Sequence, residues 1–350
     1  MAKVRIGFVG VGFMGQRAHL RSYVAIPDCE VVAIAELRQG LAGEVADRYG
    51  VPRVYRDHEE MLAGEQLDGI VASQPFTRHG LLVPELLKAG APVFTEKPLA
   101  GSIEAGERIV EALASSSTWH MVGYHKRSDP ATMHAKREVD RLKDSGELGK
   151  LRYVRILMPA GDWVAGGATG FIAGDDPAPT LASDPPPSDM DEQTYQAYTG
   201  FVNYYIHQVN LLRHLLGEPY RVTHADPSGV VLVAESASGV AGVIEMSPYT
   251  TTADWQESAL VAFEHGYVKL DLPAPLAVNR PGRVEVLRDP GGGVMPSAES
   301  PRLPWVDAMR QQAMNFVAAI RGEMRPPCEA AEALEDLRVA RDYIRLLRGR

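Results

Sequence analysis

The stretch Val4-Arg5-Ile6-Gly7-Phe8-Val9-Gly10-Val11-Gly12-Phe13-Met14-Gly15 is typical of a buried β-strand that runs through a glycine-rich turn into a helix. The spacing Gly10-x-Gly12-x-x-Gly15 is found where a strand–turn–helix unit binds a dinucleotide. Gly10 permits a tight turn, Gly12 lets the backbone approach a pyrophosphate, and Gly15 lets the helix pack closely on the strand. N–H groups at the helix N-terminus would hold the pyrophosphate. The stretch therefore predicts a nucleotide-binding unit, the alternative being an ordinary strand–helix turn.

A second apolar run, residues 31–35, ends at Glu36 about 20 residues beyond the glycine motif, where dinucleotide sites place an acid on the adenosine ribose. A carboxylate at this position would repel a 2′-phosphate, so Glu36 favours NAD over NADP. Arg38 lies two residues further on and would soften that preference.

Length and composition indicate a two-domain globular protein of the cytoplasm. The chain has 350 residues, of which 45% are hydrophobic and 23% charged. A net charge of -9 argues against nucleic acid or an anionic membrane surface as a partner. The first strand begins almost at Met1, which leaves no room for a signal peptide, and no apolar run is long enough to span a membrane. Cys29 and Cys328 have no metal-like or redox spacing, and no metal site is predicted.

The first part of the chain alternates strands and helices, which predicts a doubly wound parallel sheet. Further strands are predicted at Arg53–Tyr55, Gly69–Ser73, Val93–Thr95 and Trp119–Gly123. Helices are predicted at Arg38–Tyr49, His58–Ala63, Gly80–Ala89 and Ile103–Ala114. Ligands of such sheets bind beyond the carboxyl ends of the strands, so the residues that follow each strand are candidate site residues.

The second part has a different character, and we predict domains at 1–124 and 125–350. Strands are expected at Leu151–Met158, Val230–Ser236, Gly239–Met246, Ser258–Phe263 and Gly266–Leu270, with short turns that imply an antiparallel sheet. Helices are expected at Tyr204–Leu216, Val306–Arg321 and Ala330–Leu347. Between them, Gly174–Asp189 carries five prolines and reads as a long loop, either a disordered insertion or an active-site wall.

Glu96-Lys97-Pro98 follows a central strand and is the second chemical signal. Partial burial beside a positive nicotinamide ring would lower the pKa of Lys97 toward neutrality, so that Lys97 could exchange the proton of a hydroxyl undergoing hydride transfer. The alternative is an ordinary surface Glu–Lys pair.

Four polar residues recur along the predicted helix 204–216 and the residue just before it, at the spacing of one helix face: Asn203, His207, Asn210 and His214. His207 suits a proton relay at neutral pH. The alternative is a solvated helix face.

With these signals the chain resembles the glucose–fructose oxidoreductase/inositol dehydrogenase (Gfo/Idh/MocA) family over nearly its whole length. The motifs follow in family order: the glycine motif, Pro75-x-x-x-His79, Glu96-Lys97-Pro98, Gly123-Tyr124-x-x-Arg127 and Gly146-Glu147-Leu148-Gly149-Lys150. The resemblance implies a Rossmann domain and an α/β domain with a largely antiparallel, open-faced sheet that commonly makes the oligomer contact, hence a dimer or tetramer. It also implies NAD or NADP, and a sugar, cyclitol or related polyol as substrate.

Residues and resemblance together assign roles to individual positions. Lys97 and His207 match the family's catalytic lysine and histidine. The predicted cofactor-binding residues are Gly10, Gly12, Phe13, Met14, Gly15, Glu36, Gln74, Pro75, His79, Glu96 and Lys97. The predicted substrate-binding residues are Arg127, Trp163, Asn203, Tyr204 and Asn210.

The expected function is hydride transfer between a secondary hydroxyl and nicotinamide. Asn203 and Asn210 stand where the family often has aspartate, and Phe76 stands where asparagine is common after Pro75. An amide can orient a hydroxyl but cannot carry a proton away. Two alternatives therefore remain: a sugar enzyme with transient redox that breaks a glycosidic bond by elimination, and a non-catalytic nucleotide-binding sensor.

Overall fold

The computed structural model of the protein describes residues 2–166, 170–177 and 179–349. Their contacts divide the chain into two compact units, each made of several segments. Unit 1 comprises Met1–Tyr124, Ala168–Thr199 and Met309–Leu337, and unit 2 comprises His125–Gly167, Gly200–Ala308 and Arg338–Arg350. None of the helices in the described ranges is both long and apolar enough to cross a membrane.

Unit 1 is built on a six-stranded parallel sheet with the strand order β3-β2-β1-β4-β5-β6. The strands are β1 (Val4–Val9), β2 (Cys29–Ala35), β3 (Arg53–Tyr55), β4 (Gly69–Ala72), β5 (Val93–Glu96) and β6 (His120–Gly123). This order reverses between β1 and β4, and doubly wound sheets bind their ligands at such a switch point. The predicted Rossmann-type sheet is thereby confirmed.

The helices that connect these strands begin close to the predicted positions. They are α1 (Gly15–Leu20, wound as a π-helix, and then Arg21–Tyr23), α2 (Gln39–Tyr49), α3 (His58–Gly64), α4 (His79–Leu87) and α5 (Ile103–Ala114). A 3₁₀ turn, Phe76–Arg78, precedes α4. Long π-helical stretches are rare and are often found at functional sites, as here directly after the glycine motif.

Aromatic side chains from distant segments meet in the core of unit 1. The rings of Tyr23, Phe94 and Trp119 each pack edge-on against Phe316, with centroids 5.5–6.3 Å apart. The backbone N–H of Val122 also donates to the carbonyl of Cys328. These contacts explain why unit 1 includes a carboxyl-terminal segment that the sequence analysis did not place there.

Unit 2 contains an eight-stranded sheet with the order β14-β13-β12-β11-β7-β10-β9-β8. Its strands are β7 (Leu151–Ala160), β8 (Tyr220–Ala225), β9 (Val231–Ser236), β10 (Ala241–Thr250), β11 (Glu257–Phe263), β12 (Gly266–Leu272), β13 (Arg283–Arg288) and β14 (Ser297–Glu299). β7 and β10 run parallel and the other neighbours antiparallel, which confirms the largely antiparallel sheet. Burial alternates residue by residue along most strands, so one face is buried and the other partly open.

The remaining helices are α6 (His125–Ser128), α7 (Pro130–Ser145), α8 (Glu192–Tyr204), α9 (Ile206–Leu216), α10 (Ala308–Ile320) and α11 (Ala330–Leu347). The bounds of α11 agree with the prediction. The sequence analysis missed α6, α7, α8 and the strands β8, β13 and β14.

The helix expected to carry Asn203 through His214 is interrupted at Tyr205, so Asn203 lies at the end of α8 and the other three polar residues lie on α9. The single four-residue stripe was therefore wrong. The proline-rich segment 174–189 forms no helix or strand within its described residues, as expected, while Ala178 lies outside them.

Candidate nucleotide and substrate sites

The three motif glycines are required for different reasons. Gly10 has a φ of 88°, and a Cβ there would lie 2.7 Å from the carbonyl oxygen of Ser73. A Cβ at Gly15 would lie 2.8 Å from the carbonyl oxygen of Gly10. At Gly12, by contrast, the nearest atom to an added Cβ is the Arg38 guanidinium, 3.7 Å away. Packing within the protein therefore does not require a glycine at position 12. The open space next to Gly12 would let a pyrophosphate lie close to the backbone.

Glu36 links the end of β2 to the glycine loop. Its Oε2 accepts a hydrogen bond from the Val11 N–H at 3.0 Å, and both carboxylate oxygens accept from the Arg38 guanidinium at 2.9 and 3.0 Å. Burial on its own would raise the pKa of Glu36, but the hydrogen bonds from Arg38 and Val11 hold that pKa below its usual value. A buried, ionised acid therefore lies where an adenosine ribose is expected.

A cavity of about 390 Å³ lies beside this acid in unit 1. The residues that line it come from the glycine loop, the ends of β2 and β4, and the proline-rich segment. They include Gly10, Gly12, Glu36, Arg38, Gln74, Pro75, Arg78, Pro179 and Leu181. The cavity thus brings together five of the predicted cofactor-binding residues: Gly10, Gly12, Glu36, Gln74 and Pro75.

His79 contacts the backbone of Gln74, a residue that lines this cavity. It is fully buried, and its two ring nitrogens lie 3.1 Å from the Leu99 carbonyl and 3.2 Å from the Gln74 carbonyl. Burial lowers the pKa of His79, against the opposing effect of these carbonyls. The ring therefore joins the loops that follow β4 and β5.

Lys97 follows β5, two strands along the sheet from the glycine motif, and a cis peptide joins it to Pro98. Glu96 next to it accepts from the Lys97 N–H at 3.2 Å and lies 2.7 Å from His19 Nε2. Burial would raise the pKa of Glu96, yet His19 and Lys97 keep that pKa low. Sequence reasoning missed His19, since its link to Glu96 spans 77 residues.

Phe13 and Met14 are half-buried at the start of α1. The Phe13 ring packs edge-on against Phe171, with centroids 5.3 Å apart.

In unit 2, the short helix α6 lies beside α9. The rings of His125 and His207 meet edge-on with centroids 4.5 Å apart, and Arg127 Nε donates to Asn210 Oδ1 at 2.6 Å. The structure thus brings together three predicted site residues, Arg127, His207 and Asn210. Arg127 and Asn210 are buried and bound to each other, while His207 is partly exposed.

A buried ion pair lies next to these residues. Lys126 is paired with Glu257, and their side chains are 4% and 0% exposed. Glu257 also accepts hydrogen bonds from Gln208 Nε2 at 2.7 Å and from the Trp255 indole at 3.3 Å, and Lys126 lies over the Trp255 ring. Sequence reasoning missed all four residues, because nothing in the spacing connects Lys126 to an acid 131 residues away.

A cavity of about 830 Å³ in unit 2 is lined by Trp255 and Glu257 and by charged residues, among them Asp162, Asp271, Arg280 and Arg283. Tyr204 interacts with the backbone of Gly161, and its pKa is raised by burial. Trp163 is 37% exposed and Asn203 is exposed. The structure therefore does not gather Trp163 and Asn203 with Arg127 and Asn210 into one buried cluster.

Residues 4–124, all within unit 1, match the model of an oxidoreductase family with an NAD-binding Rossmann fold. The chain is 25% identical over 259 residues to scyllo-inositol 2-dehydrogenase (NAD(+)) of Bacillus subtilis (strain 168), which covers 70% of this chain and 67% of that protein. It is 28% identical over 244 residues to myo-inositol 2-dehydrogenase of Thermotoga maritima, covering 69% of this chain and 63% of that protein. The match thus spans about two thirds of the length of these curated relatives.

A solved structure of levoglucosan dehydrogenase, in complex with NADH and levoglucosan, has a similar fold. Its TM-score is 0.74 at 17% identity, with 99% of this chain and 98% of that chain covered.

Proposed function

Because the chain belongs to the Gfo/Idh/MocA oxidoreductase family, we propose that it is an NAD(P)-dependent dehydrogenase of a secondary hydroxyl in a sugar, cyclitol or related polyol. The observation that carries this proposal is the placement of Lys97 in the same unit as the glycine loop and at the same edge of one parallel sheet. Strand spacing puts the ends of β1 and β5 about 10 Å apart, since one strand lies between them.

The nicotinamide, when bound, would supply the acceptor or donor of hydride. Lys97 would hold the substrate hydroxyl and exchange its proton. The neighbouring Glu96 carboxylate, whose pKa burial would raise, is kept ionised by His19 and by the Lys97 charge. His19 would keep Glu96 in place through its 2.7 Å contact.

We assign the second proton-handling role to His207, as family likeness implies. His125 packs against its ring and limits its rotation. Arg127 and Asn210 would present a fixed hydrogen-bonding surface for substrate hydroxyls, since each already holds the other in place at 2.6 Å. Polar groups with locked orientations select strongly among polyols that differ in the position of one hydroxyl. Tyr204 and Trp163 remain candidates for contacts with the apolar face of a sugar.

The position of the Glu36 carboxylate favours NAD over NADP as the cofactor. Arg38 could in principle pair with a 2′-phosphate, but Glu36 and the nearby Asp176 charge already compensate it, as the raised pKa of Arg38 reflects. An added phosphate would have to compete with both carboxylates for the same guanidinium.

The open face of the unit 2 sheet is the proposed contact of a homo-oligomer. It carries half-buried apolar side chains, among them Tyr153, Leu157, Val243 and Leu260. A cytoplasmic location and a small-molecule substrate complete the proposal. The net charge of -9 disfavours nucleic acid as a partner.

The test is to follow the absorbance of reduced nicotinamide while the purified protein is given NAD and a panel of inositols, sugars and open-chain polyols. We expect reduction of NAD with a subset of the panel. Cleavage of glycosides without net reduction would support the transient-redox alternative instead. Nucleotide binding without turnover on any panel member or glycoside would support the sensor.

A further inference from the structure

Residues 170–177 and 179–184, here called the strap, cross unit 1 next to the nucleotide cavity. Their first anchor is Gln16, which directly follows the glycine motif. Ile172 N–H donates to Gln16 Oε1 at 3.2 Å, and Gln16 Nε2 donates back to the Ile172 carbonyl at 3.0 Å. Gln16 is fully buried and also donates to the Val11 carbonyl at 2.9 Å, so it ties the strap to the loop expected to hold the pyrophosphate.

The second and third anchors are aspartates at the starts of two helices. Asp176 Oδ2 accepts from the Leu41 N–H at 2.8 Å in the first turn of α2. Asp184 Oδ2 accepts from the Gly80 N–H at 3.0 Å in the first turn of α4, and its other oxygen is paired with Arg108. The residues that precede these helices make no side-chain cap, so the strap supplies the missing capping groups. A carboxylate is also favoured there by the helix dipole.

Between these two aspartates, Pro179 and Leu181 line the same cavity as Gly12 and Glu36. They give the cavity an apolar wall beside the acid expected to bind the adenosine ribose. Such a wall suits the flat, weakly polar surface of an adenine ring.

We propose that the strap is part of the dinucleotide site and retains bound nucleotide by closing over its adenosine end. The inference rests on the proposed function only in that the chain must bind a nucleotide. Release of the nucleotide would require the strap to detach. Detachment would break at least one of the two helix caps. A cap contributes about 1 kcal/mol, which corresponds to roughly a fivefold change in rate.

The first experiment measures NADH dissociation by stopped-flow fluorescence, with excess NAD to trap the empty protein. Asp176→Ala should release NADH about fivefold faster than the wild-type protein. The matched control is Asp175→Ala, since Asp175 is the exposed neighbour and lies on the same segment. Equal rates for the two variants would overturn the proposal. A wild-type protein that binds neither NADH nor NADPH would instead refute the proposed function.

A second experiment keeps the wild-type caps intact and locks the strap. The hydroxyl oxygens of Thr77 and Ser183 lie 3.4 Å apart, so Thr77→Cys/Ser183→Cys places two thiols within reach of a disulfide. Oxidation should slow both association and dissociation of NADH, and reduction should restore both rates. The native cysteines, Cys29 and Cys328, are buried and provide a wild-type control for the oxidant. Identical rates in the oxidised and reduced double variant would contradict a strap that opens during release.

Discussion

The carboxylate of Glu36 accepts a 3.0 Å hydrogen bond from the backbone N–H of Val11, which lies inside the glycine motif. Two features that sequence spacing predicts separately, the glycine loop and the acid after β2, are thus directly bonded. The same carboxylate binds Arg38, so one buried negative charge both fixes the loop and occupies a nearby cation.

This geometry predicts that the protein binds NAD(H) more tightly than NADP(H). Glu36→Ala would remove the repelling charge and free Arg38 for a phosphate, so the preference should move toward NADP(H) by about tenfold or more. Fluorescence titration of both nucleotides measures this, with the exposed Glu44→Ala on α2 as control. Tighter binding of NADP(H) by the wild-type protein would refute the role given to Glu36.

Lys97→Ala should lower turnover about 10²- to 10⁴-fold, the range typical for loss of a general acid–base group. Nucleotide affinity should change far less, because the glycine loop and Glu36 are untouched. Steady-state rates and nucleotide titrations on the same preparation separate the two effects. Lys88→Ala, an exposed lysine of unit 1, is the control. Wild-type turnover in Lys97→Ala would exclude Lys97 as the proton carrier.

His207→Ala should also reduce turnover, by about 10²-fold, with a loss of one limb of the pH–rate profile. His207 is partly exposed, so little packing is lost and the thermal unfolding temperature should stay close to that of wild type. His265→Ala, at an exposed turn between two strands of unit 2, serves as the matched control. An unchanged rate and profile would leave Lys97 as the one proton-handling group of the proposal.

The buried pair of Lys126 and Glu257 should be costly to break. Lys126→Met leaves the Glu257 charge without its counter-ion, and we expect a loss of about 3–5 kcal/mol in the free energy of unfolding. Lys126→Met/Glu257→Gln removes both charges and should recover most of that loss. Urea denaturation measures the free energy of unfolding of both variants. Arg221→Met, in an exposed pair with Glu235, should cost less than about 1 kcal/mol. If the double variant were no more stable than Lys126→Met, the loss of stability in Lys126→Met would not come from the unpaired charge of Glu257.

Asp129 makes the stability of the fold depend on pH. Burial raises its pKa to about 6, although the N–H groups of Ala131 and Gly282 stabilise its charged form. Between its unfolded pKa near 4 and about 6, the folded protein holds a proton that the unfolded chain has released. The contribution of Asp129 to the free energy of unfolding is therefore largest below pH 4 and declines, by about 3 kcal/mol in total, as pH rises to 6.

Asp129→Asn abolishes this titration. The difference in the free energy of unfolding between wild type and Asp129→Asn should therefore fall as pH rises from 4 to 6 and then level off. Urea denaturation at pH 4, 5, 6 and 7 measures it, with Asp144→Asn on the exposed part of α7 as control. Parallel stability curves for wild type and Asp129→Asn would contradict the raised pKa.

The sequence by itself determined the features that depend on neighbouring residues. Apolar runs, turn residues and the glycine spacing act within about a dozen positions, and they were enough to predict the parallel sheet, the antiparallel sheet and the placement of Lys97 after β5. Gly15 is explained by a local contact with the Gly10 carbonyl, and Gly10 by its φ of 88°, so both roles were readable from spacing. The contact of Gly10 with the Ser73 carbonyl, in contrast, comes from the tertiary structure.

The tertiary structure alone decided the partners of the candidate site residues. Gln16 and Ile172 are 156 positions apart, Lys126 and Glu257 are 131 apart, and Arg127 and Asn210 are 83 apart. It also decided the helix break at Tyr205, which separates Asn203 from His207. Many acids and amides along the chain could serve each buried cation equally well. The packing of distant segments selects the partner. It brings one acid or amide within hydrogen-bonding distance of the cation and excludes water from that pair.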